Sequence, residues 1–170
     1  MTTAVLSIGS NLGDRLAMLR SVVDGLGPAA QAVSPVYETT PWGGVDQGPF
    51  LNAVVIADDA ELDGRGWLRC AHELEQAADR VRAQRWGPRT LDVDVVTCHA
   101  GGREMVSRDP ELTLPHPRAH ERAFVLVPWL AVRPDAMLTV AGRAQRVDEL
   151  LAALDATERD GVRRTDLVLC

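Results

Sequence analysis

The order of the hydrophobic patterns along the chain constrains the fold more than any other feature. Short apolar runs typical of strands alternate with two longer stretches whose apolar residues recur every three to four positions, as in amphipathic helices. The order is strand, helix, strand, strand, helix, strand, which is the split βαβ pattern of ferredoxin-like folds. We therefore expect an α+β fold with a ferredoxin-like βαββαβ core. Its sheet should be mostly antiparallel, with helices on one face and additional short C-terminal elements.

The predicted strands cover Ala4–Ile8, Ala32–Tyr37, Phe50–Ile56 and Leu91–Val96. One predicted helix runs from Leu12 to Leu26, capped by Ser10 or Asn11, and the other from Leu62 to Arg82. Pro35 predicts an edge or a bulge because proline donates no backbone hydrogen bond. Further on we expect an extended piece at Met105–Val106, a helix over Arg118–Leu130 limited by Pro128, a strand at Met137–Val140 and a helix over Val147–Leu154. No linker divides the chain, so residues 1–170 are predicted to form a single domain.

Charge and composition argue against several classes of partner. A net charge of −6 disfavours nucleic acid, since phosphate backbones attract basic surfaces. No apolar run approaches the roughly 18 residues of a membrane span, and the N-terminus lacks the regions of a signal peptide. We therefore expect a cytoplasmic protein. Three cysteines without a CxxC pair argue against a disulfide framework or a thiolate zinc site, and Cys98-His99 is at most half of a metal site.

The basic residues are of one kind, since all 18 are arginine and the chain has no lysine. A Walker-type phosphate loop and a Schiff-base mechanism both need lysine, so both are excluded. The glycines between Gly9 and Gly13 do not match GxGxxG, which argues against a dinucleotide fingerprint. Any phosphate recognition must therefore come from guanidinium groups, which bind phosphate oxygens in bidentate fashion.

Asp92 and Asp94 lie two positions apart on a predicted strand, so their carboxylates share one face while the valines between and after them face the core. A shared Mg²⁺ would relieve their mutual repulsion; the alternative is a polar outer face paired with arginine. The preceding segment Arg85-Trp86-Gly87-Pro88-Arg89 holds two guanidinium groups close to these carboxylates. Arginine beside metal-binding aspartate is typical of a polyphosphate site. Trp86 is either a core residue or a surface on which a flat heterocycle stacks.

These residues resemble those of the 6-hydroxymethyl-7,8-dihydropterin pyrophosphokinase family, over roughly the first 140 positions. The most specific block is RWGPRTLDVD, from Arg85 to Asp94. The remaining matches are Gly9-Ser10-Asn11-Leu12-Gly13, Tyr37-Glu38-Thr39, Pro41 with Gly43-Gly44, Phe50-Leu51-Asn52-Ala53, and Leu114-Pro115-His116-Pro117-Arg118 followed by Arg122, Phe124 and Pro128.

The resemblance implies transfer of a diphosphate from ATP to the hydroxymethyl group of a reduced pterin, with release of AMP and with two Mg²⁺ ions. It implies that Asp92 and Asp94 are the metal ligands. It places around ATP the residues Glu75, Arg80, Arg82, Arg85, Trp86, Arg89, Thr113, His116 and Arg122. It places around the pterin Thr39, Thr40, Trp42, Phe50, Asn52, Trp86 and Phe124, with the ring stacked between Trp86 and Phe124.

The expected reaction is an in-line attack of the pterin alcohol on the β-phosphorus, which asks mainly for positioning and charge neutralisation. Arg82, Arg85, Arg89 and Asp94 are the expected catalytic residues, and the general base is open between Asp94 and a metal-bound hydroxide. Loops at residues 40–49 and 79–87 are expected to close over ATP. Small molecules are the expected partners of a monomer.

Two alternatives compete with this reading of the sequence. The run Asp92-Val93-Asp94-Val95-Val96 superficially fits the nucleophile motif of a haloacid dehalogenase-type phosphatase, although that motif should end an apolar strand near the N-terminus. The other alternative is a non-catalytic ferredoxin-like binding module. Its RNA-binding version would need basic charge and surface aromatic residues, which are scarce here.

Overall fold

The computed structural model describes residues 1–39, 48–80 and 91–170, and gives only the backbone for residues 79 and 80. The strands are β1 (Thr2–Ser10), β2 (Ala30–Val33), β3 (Tyr37–Thr39), β4 (Phe50–Asp59), β5 (Asp92–Ala100), β6 (Arg103–Glu104), β7 (Ser107–Asp109), β8 (Leu112–Leu114), β9 (Met137–Val140), β10 (Arg143–Arg146) and β11 (Val162–Arg164). The helices are α1 (Arg15–Leu26), α2 (Gly64–Arg80), α3 (Ala123–Val132), α4 (Val147–Ala152) and α5 (Ala156–Asp160).

Within the described part of the chain, seven strands form one sheet in the order β11-β3-β4-β1-β5-β6, and β2 also pairs with β4. All pairings between these strands are antiparallel. Helix α1 follows the first core strand and α2 follows the third, which gives the βαββαβ order with the first and third strands side by side at the centre. The predicted ferredoxin-like core is therefore confirmed.

The second predicted strand is divided at Pro35. Strand β2 pairs with one part of β4 and β3 with another, and residues 34–36 between them belong to neither. Ser34 bridges the gap, since its backbone N–H donates to the Val54 carbonyl at 2.9 Å and its Oγ accepts from the Val54 N–H at 2.9 Å. The interruption follows from the proline, which cannot donate to a ladder.

The start of α1 differs from its prediction. The helix begins at Arg15 and its N-cap is Asp14, whose carboxylate accepts from the Ala17 N–H at 3.0 Å. Ser10 belongs to β1 instead, because that strand continues through Gly9 to its full pairing with β4. The C-terminal end at Leu26 is as predicted, and Gly27 follows it with a φ of 55°, which glycine adopts without strain.

The main core lies between α1, α2 and one face of the sheet. Strands β1, β4 and β5 contribute alternate apolar residues to this face, and Leu19, Val22 and Trp67 of the helices pack on them. Trp67 is fully buried, and its Nε1 donates to the Thr2 hydroxyl at 2.9 Å. The helix-facing layer thus follows from the strand alternation and the helical spacing seen in the sequence.

Among the described residues, the second face of the sheet is covered at one end. There Val54, Ile56 and Val96 pack against α3 and α4, chiefly against Leu126 and Trp129. We expected Pro128 to limit this helix, and that prediction is wrong: Pro128 lies buried inside α3, which begins only at Ala123. The buried position offsets the one intrahelical hydrogen bond that proline cannot donate. The expected extended piece at residues 105–106 is replaced by β6, which forms a hairpin with β5.

Within residues 1–39, 48–80 and 91–170, no helix has both the length and the apolar character needed to cross a membrane.

Candidate active site

The other end of the second face, which none of the described helices covers, carries a row of residues set by strand register. Gly9 of β1 lies directly opposite Asn52 of β4 on one side and Asp92 of β5 on the other. Two residues earlier in β1, Ser7 lies opposite Asp94 of β5. Residues directly opposite each other in antiparallel strands point to the same face, so an amide and two carboxylates share one surface around a glycine.

A cavity of about 310 Å³ lies over this surface. Its floor comes from β1, β3, β4 and β5, and its wall from the 3₁₀ turn before α3 and the first turn of α3. The lining residues are Ser7, Ile8, Gly9, Thr39, Phe50, Asn52, Asp92, Asp94, Arg118, Glu121, Arg122 and Phe124. The volume is at the lower end of the range typical of small-molecule sites.

Asn52 is the most informative residue of the cavity. Its side chain is 3% exposed, and its Oδ1 is buried without a hydrogen-bond partner among the described residues. An unpaired buried acceptor costs about 1–3 kcal/mol, so such groups are retained where a ligand satisfies them. Gly9 makes the room, since a Cβ there would lie 3.2 Å from both Oδ1 and Nδ2 of Asn52. The amide is therefore placed to read a donor and acceptor edge of a ligand.

The two carboxylates lie at the start of β5, where no strand pairs with its outer edge in the described residues. Asp92 is exposed and Asp94 half-buried, and both line the cavity. The Val93 N–H between them donates to Oε2 of Glu75 on α2 at 3.0 Å. Glu75 therefore holds the backbone that carries both carboxylates, a role that spacing along the sequence does not reveal.

The donor set suits a hard divalent cation. Two carboxylates on one face are the oxygen ligands that Mg²⁺ takes in proteins, and Mg²⁺ usually completes its octahedron with water and phosphate oxygens. The described residues contain no group of three or more His, Cys, Asp or Glu side chains able to hold a metal. Cys98 is buried in the main core, so Cys98-His99 is not a metal-binding pair in this fold.

His116 also lies against the outer edge of β5, because its backbone N–H donates to the Val96 carbonyl at 2.7 Å. Its Nδ1 accepts from the Arg118 N–H at 3.2 Å. Burial lowers the pKa of His116, the Asp94 carboxylate opposes that shift, and the guanidinium groups of Arg122 and Arg118 add to it. The imidazole is therefore held neutral with its proton on Nε2.

In the wall of the cavity, a guanidinium group lies next to an aromatic ring. The guanidinium carbon of Arg122 lies 5.7 Å from the centroid of the Phe124 ring, within cation–π range. Phe124 is half-buried, and both residues line the cavity. The wall thus offers a flat aromatic surface beside a positive charge, which suits a heterocycle next to a phosphate.

Seven of the residues predicted for the site meet in this cavity, namely Thr39, Phe50, Asn52, Asp92, Asp94, Arg122 and Phe124. Glu75 and His116 contact the backbone of β5 beside it. Thr113 does not line the cavity; its hydroxyl donates to the Asp109 carbonyl within the β7–β8 hairpin at 3.2 Å. Thr40, Trp42, Arg82, Arg85, Trp86 and Arg89 lie outside the described residues, as does the side chain of Arg80.

Sequence reasoning missed several lining residues. Gly9 lies just beyond the predicted end of the first strand at Ile8, although it belongs to β1, and nothing in the sequence singles out Ser7. Two small residues at alternate positions near the end of an apolar strand are the signal that could reveal a ligand approaching the sheet. Arg118 and Glu121 also line the cavity, and they form an ion pair at 3.6 Å.

Taken together, the fold and the cavity define the class as a ferredoxin-like protein with a small-molecule cavity over the second face of its sheet. The sequence model described as 7,8-dihydro-6-hydroxymethylpterin-pyrophosphokinase (HPPK) matches residues 5–134. The chain belongs to this family, so the predicted resemblance is confirmed, and the chain is an enzyme.

Curated relatives support this assignment over almost the whole chain. A protein of Mycobacterium leprae named 2-amino-4-hydroxy-6-hydroxymethyldihydropteridine pyrophosphokinase is 65% identical over 175 residues, covering 99% of this chain and 92% of the relative. Proteins of the same name from Mycobacterium tuberculosis H37Rv and Methylorubrum extorquens are 61% and 44% identical. The two alignments cover 96% and 98% of this chain, and 89% and 100% of the respective relative.

Solved structures agree with the fold. The crystal structure of wild-type Plasmodium falciparum HPPK-DHPS superposes with a TM-score of 0.60 at 12% sequence identity, covering 88% of this chain. This chain spans 44% of that longer protein. The similarity supports the architecture of the chain, and the family assignment rests on the sequence comparisons.

Proposed function

We propose that this enzyme transfers a diphosphate group from ATP to the hydroxymethyl group of 6-hydroxymethyl-7,8-dihydropterin in folate biosynthesis, giving AMP and the pterin diphosphate. Membership of the pyrophosphokinase family supports the reaction and the pterin acceptor. The structural observation that carries the proposal is the buried Oδ1 of Asn52 in the cavity, which has no hydrogen-bond partner among the described residues. A pterin ring presents adjacent donors and acceptors on one edge, which an amide can pair with.

The described residues suggest how the pterin is oriented. Asn52 would bind the ring edge at the floor, and Phe124 would stack on the ring face from the wall. We propose that Trp86 supplies the opposite face, and that Thr40 and Trp42 complete the pocket, as the family resemblance implies. The hydroxymethyl group would then point along the sheet toward Asp92 and Asp94, which line the same cavity.

The charges suggest how the phosphates are held. We propose two Mg²⁺ ions on Asp92 and Asp94; when bound, they would neutralise phosphate charge and align the reacting groups. Arg122 lies in the wall of the cavity, above the strands that carry the two carboxylates, and its positive charge can offset further negative charge on the phosphates. Arg80, Arg82, Arg85 and Arg89 are the proposed phosphate ligands of the arginine-rich segment, with Glu75, Thr113 and His116 on the nucleotide side.

The proposed chemical step is a single displacement. The pterin alcohol oxygen bonds to the β-phosphorus of ATP, the bond from that phosphorus to the oxygen bridging the α-phosphate breaks, and AMP leaves with the electron pair. The alcohol proton leaves toward a base, for which we propose Asp94 among the described lining carboxylates, which also include Asp92 and Glu121. His116 is held as a neutral donor through Nε2, which suits a contact to the nucleotide rather than proton abstraction.

The phosphatase alternative does not fit the fold. Its nucleophile motif should end an apolar strand, whereas Asp92 begins β5 and the valines follow it. A non-catalytic binding module is excluded by membership of a family whose curated relatives are named as pyrophosphokinases. We further propose that residues 1–170 act as one domain, as a monomer and in the cytoplasm, which are predictions from the sequence.

One assay tests the proposed function. The purified protein is incubated with ATP, Mg²⁺ and 6-hydroxymethyl-7,8-dihydropterin, and the nucleotide products are separated. We expect AMP that forms only when the pterin is present, and a loss of this activity in Asp92→Ala. Asp58→Asn, at the far end of β4 from the cavity, is the control and should keep the activity. Formation of ADP, absence of turnover, or full activity of Asp92→Ala would contradict the proposal.

A further inference from the structure

The first turn of α3 lacks a capping residue of its own. Arg122 occupies the N-cap position and makes no side-chain cap hydrogen bond. That position favours Ser, Thr, Asp or Asn, whose short side chains accept from the first free N–H groups of the helix. The Arg122 guanidinium lies over the Phe124 ring instead and lines the cavity. The N-cap position therefore holds a side chain that contributes to the cavity and not to the helix cap.

Glu158, 35 residues beyond Ala123, supplies an acceptor for the first N–H of the helix, one position before the N–H groups that an N-cap side chain reaches. The Ala123 N–H donates to Oε1 of Glu158 at 3.1 Å. Ala123 is fully buried and Glu158 is half-buried in the first turn of α5. A carboxylate at a helix N-terminus also interacts favourably with the positive end of the helix dipole. Helix α5 is itself capped, since the Asp155 carboxylate accepts from the Thr157 N–H at 2.8 Å.

The strand after α5 reaches the other side of the cavity. Strand β11 pairs with β3 so that Val162 lies opposite Thr39, a lining residue. Next to it, Arg163 donates to Oε1 of Glu38 at 3.0 Å. The segment from residue 155 to residue 164 therefore contacts both the helix that carries Phe124 and the strand that carries Thr39. This segment lies beyond the residues matched by the family model, which ends at 134.

We infer that residues 155–164 form a brace that fixes the wall of the cavity at α3 relative to the part of its floor at β3, and that Glu158 is a positioning residue for Phe124 and Arg122. The inference rests on the proposed function in one respect, namely that the ligand held between this wall and the floor is the pterin. Without the Glu158 acceptor the buried Ala123 N–H loses its partner, so the first turn of α3 frays and the Phe124 ring loses its fixed position.

Steady-state kinetics of Glu158→Ala test the inference. We expect the KM for the pterin to rise about 3- to 30-fold, the range to which loss of an N-cap converts, while kcat changes less than threefold because β5 is untouched. Glu158→Gln keeps an acceptor at the same reach and should restore the wild-type KM. Glu158→Asp keeps the charge but shortens the reach by one methylene and should give an intermediate value. Asp160→Ala, an exposed carboxylate of the same helix, is the matched control.

A wild-type KM in Glu158→Ala, an equal rise in Asp160→Ala, or a normal Glu158→Asp beside a defective Glu158→Gln would overturn the inference. Amide hydrogen exchange provides a second measurement without ligand: Glu158→Ala should lose protection at residues 123–125 but not in β1 or β4. Unchanged protection there would also overturn it. This measurement holds even if the wild-type protein forms no AMP, a result that would contradict the proposed function alone.

Discussion

Asn52→Leu is the substitution for which the structure predicts opposite effects on stability and on activity. The Asn52 side chain is buried, and its Oδ1 has no partner among the described residues. Leucine removes this unpaired acceptor, which costs about 1–3 kcal/mol, and leaves an apolar group of similar size. We therefore expect the free energy of unfolding to rise by about 1–3 kcal/mol. For a chain of this length each kcal/mol raises the Tm by about 2–4 °C.

The same change removes the donor and the acceptor proposed to bind the pterin edge. Two hydrogen bonds at about 0.5–1.5 kcal/mol each correspond to a loss of about 5- to 160-fold in kcat/KM for the pterin. Thermal unfolding followed by circular dichroism and pterin-dependent AMP formation measure the two effects. A lower Tm, or a kcat/KM within threefold of wild type, would refute the reasoning.

Thr97→Val is the matched control for that experiment. Thr97 is also fully buried in the sheet, but its hydroxyl is satisfied, since it donates to Oε2 of Glu104 at 2.7 Å. Removing it should lower the Tm because the carboxylate of Glu104 loses a partner. The KM for the pterin should not change, since Thr97 does not line the cavity.

Three further predictions concern single residues. Gly9→Ala should raise the pterin KM about tenfold, because its Cβ would lie 3.2 Å from the Asn52 amide and displace it; steady-state kinetics measure the change, and an unchanged KM would contradict the role of Gly9. Glu75→Ala should speed exchange of the Val93 amide and lower kcat, since the backbone N–H loses its acceptor; unchanged exchange would contradict this role. Burial raises the pKa of Cys98 to about 12, so its thiol should react at pH 8 only after unfolding. Because the folded pKa exceeds the unfolded one, stability should fall as the pH rises above 9, which urea melts between pH 8 and 10 can measure.

The sequence predicts local features of the site well. Alternation along a strand has a period of two whatever the partner strand, so the strand pattern alone places Asp92 and Asp94 on one face and Val93 and Val95 on the other. The fold bears this out: the valines lie in the main core and both carboxylates line the cavity. Asn52 and Phe124 enter the prediction only through the family resemblance, because an isolated Asn or Phe on such elements has no distinctive pattern.

Helix ends are predicted less well, because capping depends on which side chain reaches the free backbone groups. Asp14, rather than Ser10 or Asn11, caps α1. At α3, the cap comes from Glu158 on a distant helix, a pairing that no local motif encodes.

By itself, the sequence determined the order of strands and helices, the apolar face of each, the reliance on arginine, and the acidic pair at the start of β5, since all of these depend on neighbouring residues. Only the tertiary structure decided that Gly9 lies between Asn52 and Asp92, because strand register is set by packing of the whole sheet. It also decided that Glu75 supports Val93 and that Pro128 fits inside α3. Contacts between residues far apart in the chain arise only when the core brings them together, and these contacts shape the candidate active site.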